Sequence, residues 1–123
     1  MLPWYRGQHG APMEPEARAL CRVVEEYLLG RPFCIALDCH SGFGLQDRVW
    51  FPYAYTRKPF AHLAEAQCLK NMFLRTYPNH RYYRIEPQSL NYTAHGDLWN
   101  YLYDKALALQ NGSFVPLTLE MGS

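Results

Sequence analysis

Apolar residues recur at helical spacing in three parts of the chain. Within residues 14–30, a proline between two glutamates is followed by apolar side chains at i, i+3 and i+4. This pattern predicts an amphipathic helix that ends near the glycine at position 30. Similar spacing predicts a helix over 59–76 and another over 96–109. The Asn-Gly pair at 111–112 then predicts the turn that ends the third helix.

Short apolar segments lie between these predicted helices. Residues 33–37 (FCIAL) form a continuous apolar run, which is typical of a strand buried on both faces. Residues 49–55 (VWFPYAY) predict a second extended segment, interrupted by its proline. A short strand is expected at 81–86 and a last one at 114–120. Because strands and helices alternate, we expect an α/β fold of three layers, α/β/α, with a mostly buried mixed sheet.

Composition narrows the class of protein and its partners. A chain of 123 residues fits one domain, and 49% hydrophobic residues are typical of a globular protein. Twelve basic residues against eleven acidic ones form no basic patch, so we expect neither a nucleic-acid partner nor a membrane partner. No signal peptide and no apolar stretch of about 20 residues is visible, so we expect a cytoplasmic protein.

Two polar residues stand at the ends of predicted strands. His40 follows the apolar run 33–37, and Glu120 ends the last predicted strand. Ligand sites of α/β sheets lie in the crevice beyond the strand ends. A histidine nitrogen there can bind zinc, and a glutamate facing the same metal can take a proton from bound water. On spacing alone, a hydrogen-bonded structural histidine is the alternative.

Four segments, in order, resemble the zinc carboxypeptidase family (carboxypeptidase A-like). Residues 37–44 (LDCHSGFG) are similar to the strand and turn that carry the third zinc ligand. Residues 51–55 (FPYAY) resemble the Y-P-Y-x-Y strand that follows it, and 117–120 (LTLE) resemble the last strand, with its catalytic glutamate. Residues 5–7 and 14–16 are similar to a glycine-containing loop and the S-E-x-E helix start, although methionine replaces the serine.

This resemblance implies roles for three residues. His40 would bind one Zn²⁺ ion, and Glu120 would be the general base that moves a proton from water to the leaving amine. Tyr92 lies in a loop comparable to that of the family's mobile tyrosine, which closes on substrate; a surface turn residue is the alternative. The substrate would be a peptide or a related amide.

The family's H-x-x-E zinc motif and its carboxylate-binding residues precede the segment that residues 5–7 resemble. The resemblance therefore implies that 1–123 is a single partial domain, with the other zinc ligands expected upstream and no activity on its own. The H-x-x-E of residues 62–65 follows His40 and lies in an amphipathic helix, so we expect it to be solvated rather than a ligand pair.

Several alternatives remain open at this stage. A zinc-dependent amino-acid deacylase of the related branch is a second enzymatic hypothesis, and a non-catalytic, truncated peptide-binding module is a third. Asp38, two residues before His40 on the same strand face, either orients the ligand or caps the loop. For Asp97 a helix N-cap is favoured over a charge that lines the substrate pocket.

Overall fold

The structure is a computed structural model that describes residues 8, 10–41, 44–79 and 83–122. The α/β class is confirmed, because helices and strands alternate along these residues. In chain order the elements are α1 (Pro15–Tyr27), β1 (Phe33–Ser41), β2 (Arg48–Phe51), α2 (Leu63–Thr76), β3 (Arg84–Pro87), a 3-10 turn (Gln88–Leu90), α3 (Leu98–Leu109) and β4 (Ser113–Met121).

The four strands form one mixed sheet in the order β1-β4-β2-β3. The edge strand β1 runs parallel to β4, from Phe33 opposite Ser113 to His40 opposite Glu120. Strand β2 is antiparallel to β4, with Arg48 opposite Glu120, and it is parallel to β3. Directly opposite residues share a face of the sheet. His40 and Glu120 therefore lie side by side on one face, near the end of the paired strands β1 and β4.

Helices pack on both faces of this sheet, as predicted. Trp99 of α3 donates a hydrogen bond to Asp38 of β1, which places α3 on the face that carries His40. On the opposite face, Ala66 of α2 and Leu117 of β4 border an apolar cavity of about 70 Å³. The predicted three-layer arrangement is therefore confirmed. Among the described residues, no helix combines the length and the apolar character that a membrane span requires.

The hydrophobic core lies between the helices and the two middle strands. Trp50, Leu102, Tyr103 and Val115 are at most 1% exposed. Burial of a large apolar side chain contributes roughly 1.5–3 kcal/mol, so these four side chains contribute strongly to holding the layers together.

Strand β1 is longer and more exposed than its sequence predicts. The side chains of Phe33, Ile35 and Leu37 are 52%, 41% and 55% exposed. The prediction of a strand buried on both faces is therefore wrong. These three residues alternate along β1 and so share one face of the sheet. On the face that Leu117 shares, α2 packs over β2, β3 and β4, and no β1 residue lies at that contact, so this face of β1 is left largely open.

Strand β2 ends at Phe51 instead of extending to residue 55, and the start of α2 also differs from prediction. Helix α2 begins at Leu63 rather than near Pro59, because the intervening Phe60 packs into the core, with its ring centroid 4.7 Å from that of Tyr103. The last residue of helix α3 is Leu109, as predicted, but its C-cap is Gln110, whose backbone is left-handed at φ 52°, rather than the Asn-Gly pair.

Asp97 is the N-cap of α3, as favoured from the sequence. Its carboxylate accepts a hydrogen bond from the backbone N–H of Asn100 at 2.7 Å. This bond satisfies one of the free donors at the start of the helix and fixes where the helix begins.

Candidate functional site

His40 and Glu120 lie at the carboxyl ends of two adjacent parallel strands. Their Cα atoms are register partners, which in a sheet corresponds to a separation of about 4.8 Å. Both side chains line a cavity of about 400 Å³, and Tyr92 lines it as well. The structure therefore brings together the three residues that the sequence singled out.

The other walls of this cavity combine polar and aromatic groups. Asp38 and Thr118 extend the sheet floor along β1 and β4, and Trp99 contributes the wall from α3. His95 belongs to the loop that follows Tyr92 and also lines the cavity. A concave site on which several polar groups and aromatic rings converge is a candidate small-ligand site.

His40 is hydrogen-bonded within its own strand. Its Nε2 lies 2.8 Å from Oδ2 of Asp38, and its side chain is 50% exposed. The hydrogen bond to Asp38 raises the pKa of His40 above its ordinary value, although partial burial opposes this increase. The negative charges of Glu120 and Asp97 raise the same pKa further. The imidazole thus lies in a negative field that favours cations.

Glu120 is buried at the sheet end yet lines the cavity. The residue is 8% exposed, and no hydrogen bond or ion pair to its carboxylate is found within the described part of the chain. Arg48 opposes it on β2, but the Arg48 guanidinium donates to Glu86 at 2.7 Å and to Asn91 at 2.8 Å. The neighbouring cation is therefore bound by other acceptors rather than by Glu120.

Tyr92 enters the cavity from a loop whose start is anchored to the sheet. The preceding residue, Asn91, bonds both Arg48 and Glu86. The hydroxyl of Tyr92 accepts a hydrogen bond from Gln88 at 3.4 Å, and the residue is 41% exposed. Its position on the cavity wall is compatible with a substrate contact, and that role stays a prediction.

The donor atoms in the described part of the chain do not complete a zinc site. No group of three or more histidine, cysteine, aspartate or glutamate side chains that could hold a metal ion occurs among the described residues. A catalytic zinc ion takes three protein ligands and a water molecule. The cavity is lined by the imidazoles of His40 and His95 and the carboxylates of Asp38, Asp97 and Glu120, but no three of these described side chains are placed to hold one metal ion. Asp97 is already committed to its helix cap.

The H-x-x-E of α2 has a structural role. The Nδ1 atom of His62 lies 2.9 Å from the hydroxyl of Tyr103, and its ring also contacts Phe60. This imidazole packs against the rings of Phe60 and Tyr103, and it is not among the residues that line the cavity. The expectation that this motif is solvated is therefore wrong for His62, because its ring is half-buried against Tyr103 and Phe60.

Trp99 and His95 were not singled out from the sequence. Trp99 lies 61 positions from Asp38, the residue that its indole contacts, so no local pattern connects the two. His95 lies in the loop between Tyr92 and α3. The sequence signal that could have identified it as a cavity residue is its place in a loop of small and polar residues. The segments 5–7 and 42–43, used in the family resemblance, lie outside the described residues.

Comparisons with protein-family models, with curated proteins and with solved structures each found no match. The resemblance to zinc carboxypeptidases therefore rests on short sequence motifs alone, at residues 5–7, 14–16, 37–44, 51–55 and 117–120.

Proposed function

We propose that this chain forms part of the active site of a zinc-dependent hydrolase of carboxypeptidase type. His40 is the metal ligand and Glu120 the general base. The observation that carries the proposal is the register of β1 and β4, which pairs these two residues at the mouth of one cavity. An imidazole beside a carboxylate at a strand end supports this proposal, because it places a ligand atom and a proton acceptor in one crevice.

Hydrolysis of an amide bond requires two proton transfers. Water must lose a proton as its oxygen bonds to the carbonyl carbon, and the nitrogen must gain one as the C–N bond breaks. Glu120 can serve both movements in turn, because its carboxylate lines the cavity and is not held by a cation of the described chain. Its burial keeps competing water away from the exchanged proton.

The cavity suits a peptide or a related amide. A cavity of about 400 Å³ is within the size range of small-ligand pockets. The Tyr92 and Trp99 rings offer flat apolar surfaces that a substrate side chain can contact. Tyr92, on a loop anchored through Asn91, is the proposed substrate contact.

His40 as metal ligand and Glu120 as general base are two of the groups that a zinc hydrolase site needs. We propose that the remaining zinc ligands lie outside the described residues, among which no group of three histidine, cysteine, aspartate or glutamate side chains is placed to hold a metal ion. We therefore expect weak zinc binding by these 123 residues and no turnover by them alone.

A zinc titration followed by NMR of the histidine rings tests the metal role. With rising zinc chloride, the ring signals of His40 should shift before those of His62, which is held by Tyr103. His40→Ala should abolish the tightest binding, whereas His95→Ala, in the same cavity, should leave it nearly unchanged. Zinc binding that leaves His40 unperturbed would overturn the metal role.

Hydrolysis of a short peptide tests the assignment of a partial site. The chain with excess zinc should not cleave a peptide with a free carboxyl terminus faster than zinc alone does. If cleavage does occur and persists in Glu120→Gln, Glu120 is not the base. If it occurs and is lost in Glu120→Gln but kept in Glu16→Gln, the base is correct but the site is complete without further ligands.

We also propose a cytoplasmic location. All four cysteines are free thiols, and Cys39 and Cys68 are exposed. Exposed free thiols persist in reducing compartments. Fractionation of cells that express the intact protein, with detection by an antibody to this chain, tests this proposal; recovery outside the cytosol would contradict it.

A further inference from the structure

The carboxylate of Asp38 receives two side-chain contacts on a single oxygen. Its Oδ2 lies 2.8 Å from Nε2 of His40 and 2.7 Å from Nε1 of Trp99. Asp38 and His40 are two residues apart on β1 and so point to the same face of the sheet, whereas Trp99 belongs to α3. The contact thus joins the strand, the helix and the candidate metal ligand.

The chemistry of Trp99 determines which atoms donate. An indole N–H can only donate, so Asp38 Oδ2 must be an acceptor. An ionised carboxylate is an acceptor only, and the nitrogen of His40 that faces it must therefore carry a proton. In the neutral imidazole the lone pair then lies on Nδ1.

We propose that Asp38 is a positioning residue for His40. It holds the neutral ring in the tautomer with the proton on Nε2 and fixes the ring plane, which leaves Nδ1 as the nitrogen able to bind a metal ion. The metal part of this inference rests on the proposed function, whereas the tautomer does not. Ligating histidines commonly donate their second N–H to a carboxylate in this way.

Trp99 holds the carboxylate from the helix side. It is the second residue of α3, and the start of that helix is fixed by the Asp97 cap. The orientation of the His40 ring consequently depends on the docking of α3 as well as on β1.

Long-range ¹H–¹⁵N NMR of the metal-free chain at alkaline pH reads the tautomer directly. We expect the wild-type His40 ring to carry its proton on Nε2. Asp38→Ala should give a mixture of both tautomers, because no fixed acceptor faces Nε2. Asp104→Ala is the matched control: this carboxylate of α3 also accepts from two side chains, Tyr53 and Tyr55, but does not contact His40.

Trp99→Phe provides a second variant in case Asp38→Ala does not fold. It removes the indole donor but keeps the pair, so Nε2–H should persist. A wild-type ring protonated on Nδ1, or an unchanged single tautomer in folded Asp38→Ala, would overturn the proposal.

Zinc titration of the same samples separates this inference from the proposed function. If His40 binds zinc, Asp38→Ala should weaken its affinity about 10- to 100-fold. If zinc leaves wild-type His40 unperturbed while the Nε2–H tautomer is present, the metal role fails and the positioning by Asp38 stands. If Asp38→Ala binds zinc as tightly as the wild type, positioning of a metal ligand is excluded.

Discussion

Buried polar side chains connect separate elements of this chain through individual hydrogen bonds. Asn100 of α3 is 4% exposed, and its Oδ1 accepts a hydrogen bond from the backbone N–H of Ala54 at 2.8 Å. Its amide nitrogen donates to Asp97, the cap of the same helix. One side chain thus satisfies a buried donor of the segment after β2 and supports the helix that lines the cavity.

Asn100→Ala should lower the free energy of unfolding by about 1–3 kcal/mol, since the buried N–H of Ala54 loses its acceptor. Urea unfolding followed by circular dichroism measures this loss. Asn71→Ala, on the exposed face of α2, is the control and should change stability by less than about 0.5 kcal/mol. Equal effects of the two substitutions would show that the Ala54 bond does not stabilise the fold.

The pair formed by His40 and Asp38 predicts a pH-dependent contribution to stability. Folding raises the pKa of His40, mainly through its hydrogen bond to Asp38. The stabilisation is therefore fully present below the unfolded pKa of about 6.5 and is lost as the pH rises through the folded value. The cost of Asp38→Ala should thus be larger at about pH 5 than at about pH 9.

The expected difference between the two pH values is small, about 0.2–1 kcal/mol, because the imidazole is half exposed. The hydrogen bond from Trp99 to Asp38 is lost at both pH values and so cancels in the comparison. A cost of Asp38→Ala that is larger at pH 9 would contradict the assigned direction.

At the scale of elements, the sequence located α1, α3 and β4 to within a few residues. Their signals were local: a proline between glutamates, an aspartate cap and a continuous apolar run. The start of α2 could not be located in the same way, because Phe60 packs against Phe51 and Tyr103 of distant elements instead of continuing the helix. Helical spacing alone does not contain that packing.

The end of α3 provides a prediction about helix termination. Gln110 adopts a left-handed backbone, which glycine adopts without a steric cost. Gln110→Gly should therefore raise the free energy of unfolding by up to about 1 kcal/mol, as measured by thermal or urea unfolding. Gln67→Gly, inside α2, is the matched control and should lower it by about 1 kcal/mol. A loss of stability in Gln110→Gly would contradict the assigned cap.

On the scale of the whole molecule, strand order decides what the site contains. The sequence placed His40 and Glu120 at strand ends, but it did not show that β1 and β4, 80 positions apart in register, are neighbours. Nor did it show that β1 is an edge strand with an open face. Both facts follow from long-range pairing, for which a local pattern of apolar residues contains no signal.

The strand order predicts a gradient of hydrogen exchange. Strand β4 is paired on both sides, with β1 and β2, so its amides should exchange only through near-global unfolding. The amides of β1 that point away from β4 should exchange through smaller openings, and hence faster. Exchange followed by NMR tests this; equal protection of both strands would mean that the outer edge of β1 is covered.

His40 and Glu120 are register partners on β1 and β4 and line the same cavity. The charge of Glu120 contributes to the raised pKa of His40, so Glu120→Gln should lower that pKa, as measured by NMR titration of the His40 ring. Glu65→Gln, on α2 and outside the cavity, should leave it unchanged. An unchanged pKa of His40 in folded Glu120→Gln would show that the two side chains do not share a site.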